Sequence, residues 1–317
     1  MQVTPDTVGS LGEFPLISRI TTGLPTAPAV RVGPGDDGAV FLLNGSGVTS
    51  VDVLVEHVHF RQDWIPAERL GHRAVGVAAA DIEAMGASQA FVLVGLSLPP
   101  ETPTAWVEDL NRGIRDECEL AGAVLVGGDI TRGRDITISM TVVGELRGRD
   151  PVLRSGARPG DVVAVCGRLG WAAGGLAVLS RGFRSPRALV EAYQAPQVPY
   201  GAGAEAQEAG ATAMCDVSDG LLADLGHIAL ASGVSIDIDT ERLDVPDPLR
   251  AVSAATGKDP LGFVLTGGED HALVATFPLG QVPVEWDVIG QVAGGEPGVL
   301  VDGAAYDGAG GWDHFAR

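Results

Sequence analysis

The sequence predicts a mixed α/β protein with two domains. Strand-like apolar runs alternate with helical segments in both halves of the chain, and glycine or proline separates most of them. A polar stretch at 154–161, rich in arginine and glycine, interrupts this alternation near the middle. With 317 residues, the chain is long enough for two domains of ordinary size. We therefore predict an α/β (α+β) architecture with domains at 1–154 and 155–317.

The sequence pattern in the first half of the chain predicts alternating helices and strands. Residues 11–20 have the apolar spacing of a short amphipathic helix, and 48–60 show the two-residue alternation of a strand. An alanine-rich stretch at 70–85 predicts a closely packed helix. The other predicted elements are strands at 39–43, 90–98, 124–126 and 136–146, and a helix at 104–121 that Gly122 ends.

The second half begins a new cycle of the same kind. Residues 162–166 predict a buried strand, and 170–179 predict a helix rich in glycine and alanine. Ser218 is of the residue type that begins helices, so we predict a helix at 219–231 with Ser218 as its N-cap. Gly233 lies near the predicted end of that helix.

The composition restricts the class of partner. The formal net charge is −20 and Lys258 is the only lysine, which disfavours nucleic acid and anionic membranes as partners. The three cysteines form no C-x-x-C motif, so neither a disulfide scaffold nor a zinc knuckle is predicted. The most apolar region, 74–98, is interrupted by Asp81 and Glu83 and predicts no membrane span. We see no secretory signal and expect a cytoplasmic protein.

Acidic residues recur where apolar runs give way to glycine-rich segments. Oxygen ligands of this kind suit Mg²⁺, which usually takes one or two carboxylates together with water and substrate phosphate oxygens. Several carboxylates gathered without cations would repel one another, so the pattern favours a site that binds divalent metal and phosphate together. The segments concerned are Gly35-Asp36-Asp37, Ser50-Val51-Asp52, Ala80-Asp81, Gly127-Gly128-Asp129, Asp216-Val217-Ser218-Asp219 and Gly267-Gly268-Glu269-Asp270.

Familiar nucleotide-binding motifs are absent from the sequence. The chain has no G-x-x-x-x-G-K-[ST] loop, and the catalytic-loop and D-F-G motifs of protein kinases are also missing. Phosphate charge must therefore be met by arginine, backbone N–H groups or metal.

Seven segments together resemble the thiamine-monophosphate kinases, a family of the aminoimidazole-ribonucleotide-synthetase (PurM-like) superfamily. Their order and spacing are more specific than any one of them, and the resemblance covers essentially the whole chain. The segments are GDDGAV (35–40), SVDVLVEHVHF (50–60), ADIEAMGA (80–87), GGDITRG (127–133), RSGARPGD (154–161), DVSDGLLADLGHIA (216–229) and TGGEDHAL (266–273).

The resemblance implies a function, a fold and a set of site residues. It implies ATP-dependent phosphorylation of thiamine monophosphate to thiamine diphosphate, by a homodimer that uses several Mg²⁺ ions and joins its N-terminal sheets. It implies a PurM-like fold with an N-terminal ATP/Mg-binding and dimerisation domain. The implied metal ligands are Asp37, Ser50, Asp52, Asp81, Asp129, Asp216 and Asp219. The implied ATP contacts are Gly128, Asp129, Arg154 and Ser218, and the implied substrate contacts are His59, Glu269, Trp312 and Phe315.

The chemistry of this reaction agrees with the composition. The acceptor is a phosphate monoester with a second pKa near ~6, so it is largely dianionic at neutral pH and needs no general base. The difficulty is that one polyanion must attack another, and bridging cations relieve that repulsion. We therefore predict direct in-line transfer with no catalytic base in the protein.

Other interpretations stay open at this point. His57 and His59 are predicted to share a strand face, but no third zinc ligand accompanies them. Cys215 lacks a partner that would make it a nucleophile. Ala80, Val51 and His271 stand where the family commonly has serine, threonine and tyrosine. The alternative functions are another ATP-dependent enzyme of the superfamily and a non-catalytic Mg-nucleotide-binding protein on the same fold.

Overall fold

The structure, a computed structural model, describes residues 6–307 and divides into two compact units. The first unit comprises the residues up to Ile82 together with Ser88–Arg149, and the second comprises Glu83–Ala87 and the residues from Asp150 onward. Helices and strands alternate in both, which confirms the predicted α/β class. The domain limits at 154 and 155 and the roles assigned to the two domains stay predictions.

The first unit is built on a four-stranded sheet with the order β3-β6-β4-β5, in which only the β4–β5 pair is parallel. The bulk of its core lies on one face of this sheet, where Leu54, Met140 and Val94 are buried. The described elements are α1 (Val8–Leu11), α2 (Glu13–Thr21), β1 (Val30–Val32), β2 (Val40–Phe41), β3 (Gly47–Val55), α3 (Ala67–Ala84), β4 (Ser88–Leu98), α4 (Thr104–Ala121), β5 (Val124–Arg132) and β6 (Thr137–Glu145).

The second unit is built on a seven-stranded sheet with the order β13-β12-β9-β11-β7-β10-β8. The three strands β7, β10 and β8 are antiparallel neighbours and almost completely buried. The described elements are β7 (Val162–Cys166), α5 (Trp171–Leu179), α6 (Arg187–Gln194), α7 (Ala202–Glu208), β8 (Ala213–Val217), α8 (Leu221–Ser232), β9 (Ser235–Ile238), a 3-10 turn (Thr240–Arg242), α9 (Asp247–Thr256), α10 (Pro260–Thr266), β10 (Ala272–Phe277), β11 (Asp287–Ala293), β12 (Gly298–Val301) and β13 (Ala304–Ala305).

The end of helix α3 groups with the second unit, which the sequence pattern did not predict. The buried carboxylate of Glu83 accepts hydrogen bonds from the backbone N–H groups of Gly201 and Gly203, both at 2.9 Å. The N–H of Val152 donates to the carbonyl of Met85 at 3.1 Å. These contacts attach the short segment Glu83–Ala87 to α7 and to the start of the second unit.

Two predicted strand limits were wrong. The strand predicted at 48–60 ends at Val55, because His57 has a φ of 67° and the N–H of His59 turns back to the carbonyl of Val55. The glycine-rich turn predicted after residue 126 is instead part of β5, which continues to Arg132. Its pairing with β4 is irregular opposite Val92, where β5 contains one extra residue.

Within residues 6–307, every helix is too short or too polar to span a bilayer.

Candidate active site

The predicted site residues of the first unit lie on β3, α3, β5 and the loop before β2. Ser50 and Asp52 are two residues apart on β3, so their side chains leave the same face of the strand. The Ser50 hydroxyl donates to the Asp81 carboxylate of α3 at 2.5 Å. Three predicted ligands thus occupy one strand face and the helix that it contacts.

Asp129 and Asp37 lie elsewhere in this unit. Asp129 is exposed on β5, at the edge of the sheet opposite β3, so it is separated from Asp52 by the width of the sheet. Asp37 is exposed in the loop before β2, where its N–H donates to the Asp36 side chain. The sheet therefore brings together Ser50, Asp52 and Asp81 and leaves Asp129 apart from them.

Gly128, beside Asp129, is a position where any larger residue would collide with the backbone. A Cβ there would lie 2.0 Å from the carbonyl oxygen of Val94 on β4. The glycine at 128 thus has a structural reason that does not depend on phosphate. Its predicted contact with ATP stays a prediction.

The predicted site residues of the second unit meet at one end of the seven-stranded sheet. Asp216 is the penultimate residue of β8, the turn 218–220 follows that strand, and the turn 267–271 precedes β10, its neighbour in the sheet. The N–H of Glu269 donates to the carbonyl of Ser218 at 2.8 Å, and the N–H of His271 donates to the carbonyl of Val217 at 3.0 Å. Ser218, Asp219 and Glu269 are therefore held on two turns that are bonded to each other, and Asp216 lies at the end of β8 that leads into the first turn.

The second of these turns has an unusual backbone. Glu269 and His271 have φ angles of 70° and 52°, which residues other than glycine rarely adopt. A Cβ on Gly268 would lie 2.4 Å from the carbonyl oxygen of Ser218, so the two turns approach too closely for a side chain. Strained residues of this kind concentrate at functional sites, which supports a ligand-binding role for the turn.

His271 is buried beside Asp216 in this structure. Its Nδ1 lies 3.1 Å from a carboxylate oxygen of Asp216, and both side chains are less than a tenth exposed. The histidine that replaces the family's common tyrosine thus contacts a predicted metal ligand directly. The sequence alone did not predict this pairing.

Asp224 stabilises the turn that carries Asp219. Its carboxylate accepts the backbone N–H groups of Asp219 at 3.0 Å and Gly220 at 3.1 Å. Burial, reinforced by the negative charge of Asp216, raises the pKa of Asp224 to about 7. The prediction of Ser218 as the N-cap was wrong, because helix α8 begins at Leu221 with Gly220 as its N-cap.

Asp270, which precedes the neighbouring strand β10, also stabilises a local backbone segment. It is buried and accepts the N–H groups of Gly170 at 2.5 Å and Ala172 at 2.8 Å, at the beginning of α5. Burial raises the pKa of Asp270 to about 7 even though these N–H groups favour its charged form. Asp270 therefore fixes the turn that carries Glu269 to the first residues of α5.

The remaining predicted contacts with ATP and thiamine monophosphate are Arg154, His59, Trp312 and Phe315. Arg154 is exposed, and its positive charge offsets part of the rise that burial causes in the pKa of Cys215, which precedes Asp216. In the first unit, His59 lies in the turn after β3, where its Nδ1 accepts the N–H of Val55 at 3.0 Å. His57 and His59 therefore do not share a strand face. Trp312 and Phe315 lie outside the described residues.

Over residues 6–307, no group of three or more His, Cys, Asp or Glu side chains is arranged to hold a metal ion by itself. The proposed ligands are nevertheless all oxygen atoms, from aspartate and serine, which is the donor type that Mg²⁺ prefers. Because Mg²⁺ usually completes its coordination with water and phosphate oxygens, one or two carboxylates per ion fit this donor set.

Comparison with known proteins places the chain in a family. Residues 35–146 match the N-terminal domain of the AIR synthase related proteins, and residues 158–303 match their C-terminal domain. The thiamine-monophosphate kinase of Mycobacterium tuberculosis (strain ATCC 25618 / H37Rv) is 47% identical over 313 residues, which is 98% of this chain and 94% of that protein.

Two solved structures have a similar fold. The thiamine-monophosphate kinase of Stenotrophomonas maltophilia K279a superposes with a TM-score of 0.82 at 33% identity, covering 93% of this chain and 98% of that one. A structure described as AaThiL complexed with AMPPCP and TMP superposes with a TM-score of 0.81 at 36% identity, covering 96% and 97%. The two matched domains and the shared fold define a protein of the AIR-synthase-related class. Within that class, the chain belongs to the thiamine-monophosphate kinase family, whose members are phosphotransferases.

Proposed function

We propose that this protein transfers the γ-phosphoryl group of ATP to thiamine monophosphate, giving thiamine diphosphate. The relatives that it matches over nearly their whole length carry this activity in their names, and AaThiL has been solved with AMPPCP and TMP. The observation that carries the proposal is the pair of bonded turns that hold Asp219 and Glu269 together, beside Asp216 at the end of β8.

We propose that the transfer is direct, in line and Mg²⁺-assisted. The carboxylates of Asp37, Asp52, Asp81, Asp129, Asp216 and Asp219, with the Ser50 hydroxyl, would hold the ions. Bound Mg²⁺ supplies positive charge that neutralises the phosphates and aligns donor with acceptor. Since the acceptor monoester is already largely dianionic, no side chain has to remove a proton from it.

The remaining roles follow the family pattern. Arg154, Ser218 and the backbone at Gly128 and Asp129 would contact ATP, while His59 and Glu269 would contact thiamine monophosphate. The C-terminal residues Trp312 and Phe315 are proposed as further substrate contacts.

We also propose a homodimer formed through the outer face of the four-stranded sheet. Val51 and Val53 on β3 are 59% and 44% exposed there, although apolar strand residues are usually covered. Sedimentation of the intact protein would give the mass of two chains, and Val51→Asp would shift it towards one. A wild-type protein that sediments as a monomer at micromolar concentration would contradict this.

Transfer from labelled ATP tests the activity itself. With γ-labelled ATP, Mg²⁺ and thiamine monophosphate, the label should appear in thiamine diphosphate at the rate at which ATP disappears. ATP consumption without labelled thiamine diphosphate would favour another enzyme of the superfamily. Nucleotide binding without any turnover would favour the non-catalytic alternative.

A further inference from the structure

Arg168 and Trp171 form a stacked pair beside the two bonded turns. The Arg168 guanidinium carbon lies 4.5 Å from the centre of the Trp171 ring, and the arginine is exposed while the tryptophan is half-buried. Among the described residues, no carboxylate forms an ion pair with Arg168.

The position of the pair is fixed by strand register. Cys166, the last residue of β7, pairs with Leu273 of β10, and Leu273 pairs on its other side with Asp216 of β8. A Cβ on Gly167 would lie 3.0 Å from the Cβ of Ala272, so the close pairing continues one residue past the strand. Arg168 therefore leaves the sheet at the same end as Asp216.

The turn with Glu269 lies between Arg168 and Asp219. Neighbouring strands are about 4.8 Å apart, so β7 and β8 stand about 10 Å apart on either side of β10. Positive charge is thus presented on one side of the turn and proposed metal ligands on the other. This distance of about 10 Å is similar to the length of a short chain of phosphate groups.

Backbone groups near Arg168 are already used. The N–H groups of Gly170 and Ala172 donate to Asp270, so the beginning of α5 offers little to a bound anion. The guanidinium is therefore the group that remains for an anion at this position. Stacking on Trp171 restricts its orientation and leaves its N–H donors at the edge of the plane.

We propose that Arg168, stacked on Trp171, binds phosphate oxygens of a substrate at this edge of the site. The inference rests on the proposed function, because it assigns the anion to one of the two phosphate-bearing substrates. Phosphate on thiamine monophosphate and phosphate on the nucleotide have the same chemistry here, and separate binding measurements distinguish them.

The test measures direct binding by calorimetry to the full-length protein. Mg-AMPPCP, thiamine monophosphate and Mg-pyrophosphate are each titrated into wild type, Arg168→Ala, Arg168→Lys, Trp171→Ala and Arg181→Ala. Arg181 is the matched control, since it is an exposed arginine of the same unit whose guanidinium donates to the carbonyl of Ala177. Thermal melts check that every variant is folded.

Arg168→Ala should weaken binding of at least one of the three ligands by about tenfold, the size expected for a charge-assisted hydrogen bond. Arg168→Lys should fall between wild type and Arg168→Ala, and Trp171→Ala should weaken the same ligand about threefold. Binding within twofold of wild type for Arg168→Ala with every ligand, or an equal loss in Arg181→Ala, would overturn the proposal.

The outcome separates this inference from the proposed function. If wild type makes thiamine diphosphate and Arg168→Ala binds normally, only the inference fails. If wild type binds neither substrate, the proposed function fails. The pyrophosphate titration then decides whether Arg168 is an anion contact of some other phosphate-using reaction.

Discussion

In the first unit the Asp81 carboxylate accepts a hydroxyl hydrogen bond from Ser50, whereas in the second unit Asp224 and Asp270 each accept two backbone N–H groups. Asp81 is half-buried, while Asp224 and Asp270 are buried. The comparison separates two uses of aspartate in an acidic chain. Half-buried carboxylates such as Asp81 and Asp219 are suited to ions, and buried carboxylates that accept two backbone N–H groups hold the backbone.

The largest expected effect concerns the proposed ligands. Asp52→Asn and Asp219→Asn should each lower kcat/KM about a hundredfold, because losing one anionic ligand costs about 3 kcal/mol of transition-state stabilisation. Steady-state assays over a range of Mg²⁺ concentrations measure the loss. The matched controls are Asp116→Asn and Asp244→Asn, since both aspartates are exposed and lie in the same two units. Near-normal rates at low Mg²⁺ in either test variant would contradict its role.

A second prediction concerns Asp270 as a structural carboxylate. Asp270→Ala leaves two N–H groups at the start of α5 without their acceptor, and each such group costs about 1–3 kcal/mol when buried. We expect the free energy of unfolding to fall by about 2 kcal/mol, partly offset because a buried charge is removed. Urea unfolding of the variant and wild type gives the difference, and an unchanged midpoint and slope would contradict the assignment.

Asp270 also predicts the direction in which the free energy of unfolding changes with pH. Its pKa is about 7 in the folded protein against a usual 3.8, so the folded state binds more protons between these values. Its contribution to the free energy of unfolding therefore decreases as pH rises from about 4 to about 7 and is constant above that.

Asp270→Asn should remove this part of the pH slope. Asp302→Asn serves as the control, because hydrogen bonds from Thr240 lower the pKa of Asp302. Its substitution should leave the slope between pH 5 and 7 unchanged, which is the pH range measured on each variant. An identical slope in wild type and Asp270→Asn would show that Asp270 does not carry the effect.

The smallest expected effect tests the glycine beside Asp129. Gly128→Ala forces β4 and β5 apart, and such overpacking typically costs about 1–3 kcal/mol. Gly226→Ala in α8 is the control, since a Cβ there meets no atom within 4 Å. That change should be neutral or stabilising by about 0.5–1 kcal/mol. Equal melting temperatures for the two variants would argue against the close contact with Val94.

Local patterns predicted the elements where neighbours along the chain decide the structure. The helix Thr104–Ala121 and the strand Val162–Cys166 have the predicted limits, and Gly122 ends its helix in a left-handed conformation. The strand that we predicted at 48–60 was too long. The apolar alternation continues past Val55 into a turn, and periodicity alone does not predict the positive φ of His57 that ends the strand. We predicted a turn at Gly127-Gly128-Asp129, where the structure has a strand. The contact that requires glycine at 128 is with Val94 on the neighbouring strand, so the local sequence does not reveal it.

The site residues stay predictions, but the structure shows which of them lie close together. The sequence proposed Asp216, Asp219 and Glu269, and the structure holds Asp219 and Glu269 on two bonded turns with Asp216 at the adjacent end of β8. It did not identify Asp270 as the residue that holds α5, or Arg168 as a neighbour of the turn, because both depend on the register of β7 and β10. Contacts between distant segments leave no local pattern in the chain.

The most direct measurement is a crystal structure of the protein with Mg²⁺ and AMPPCP. We predict metal ions about 2.0–2.1 Å from carboxylate oxygens of the proposed ligands, Asp52 and Asp219 among them, and none on Asp224 or Asp270. Metal ions bound to Asp224 or Asp270, with Asp52 and Asp219 both left without metal, would contradict the distinction drawn between the two kinds of carboxylate.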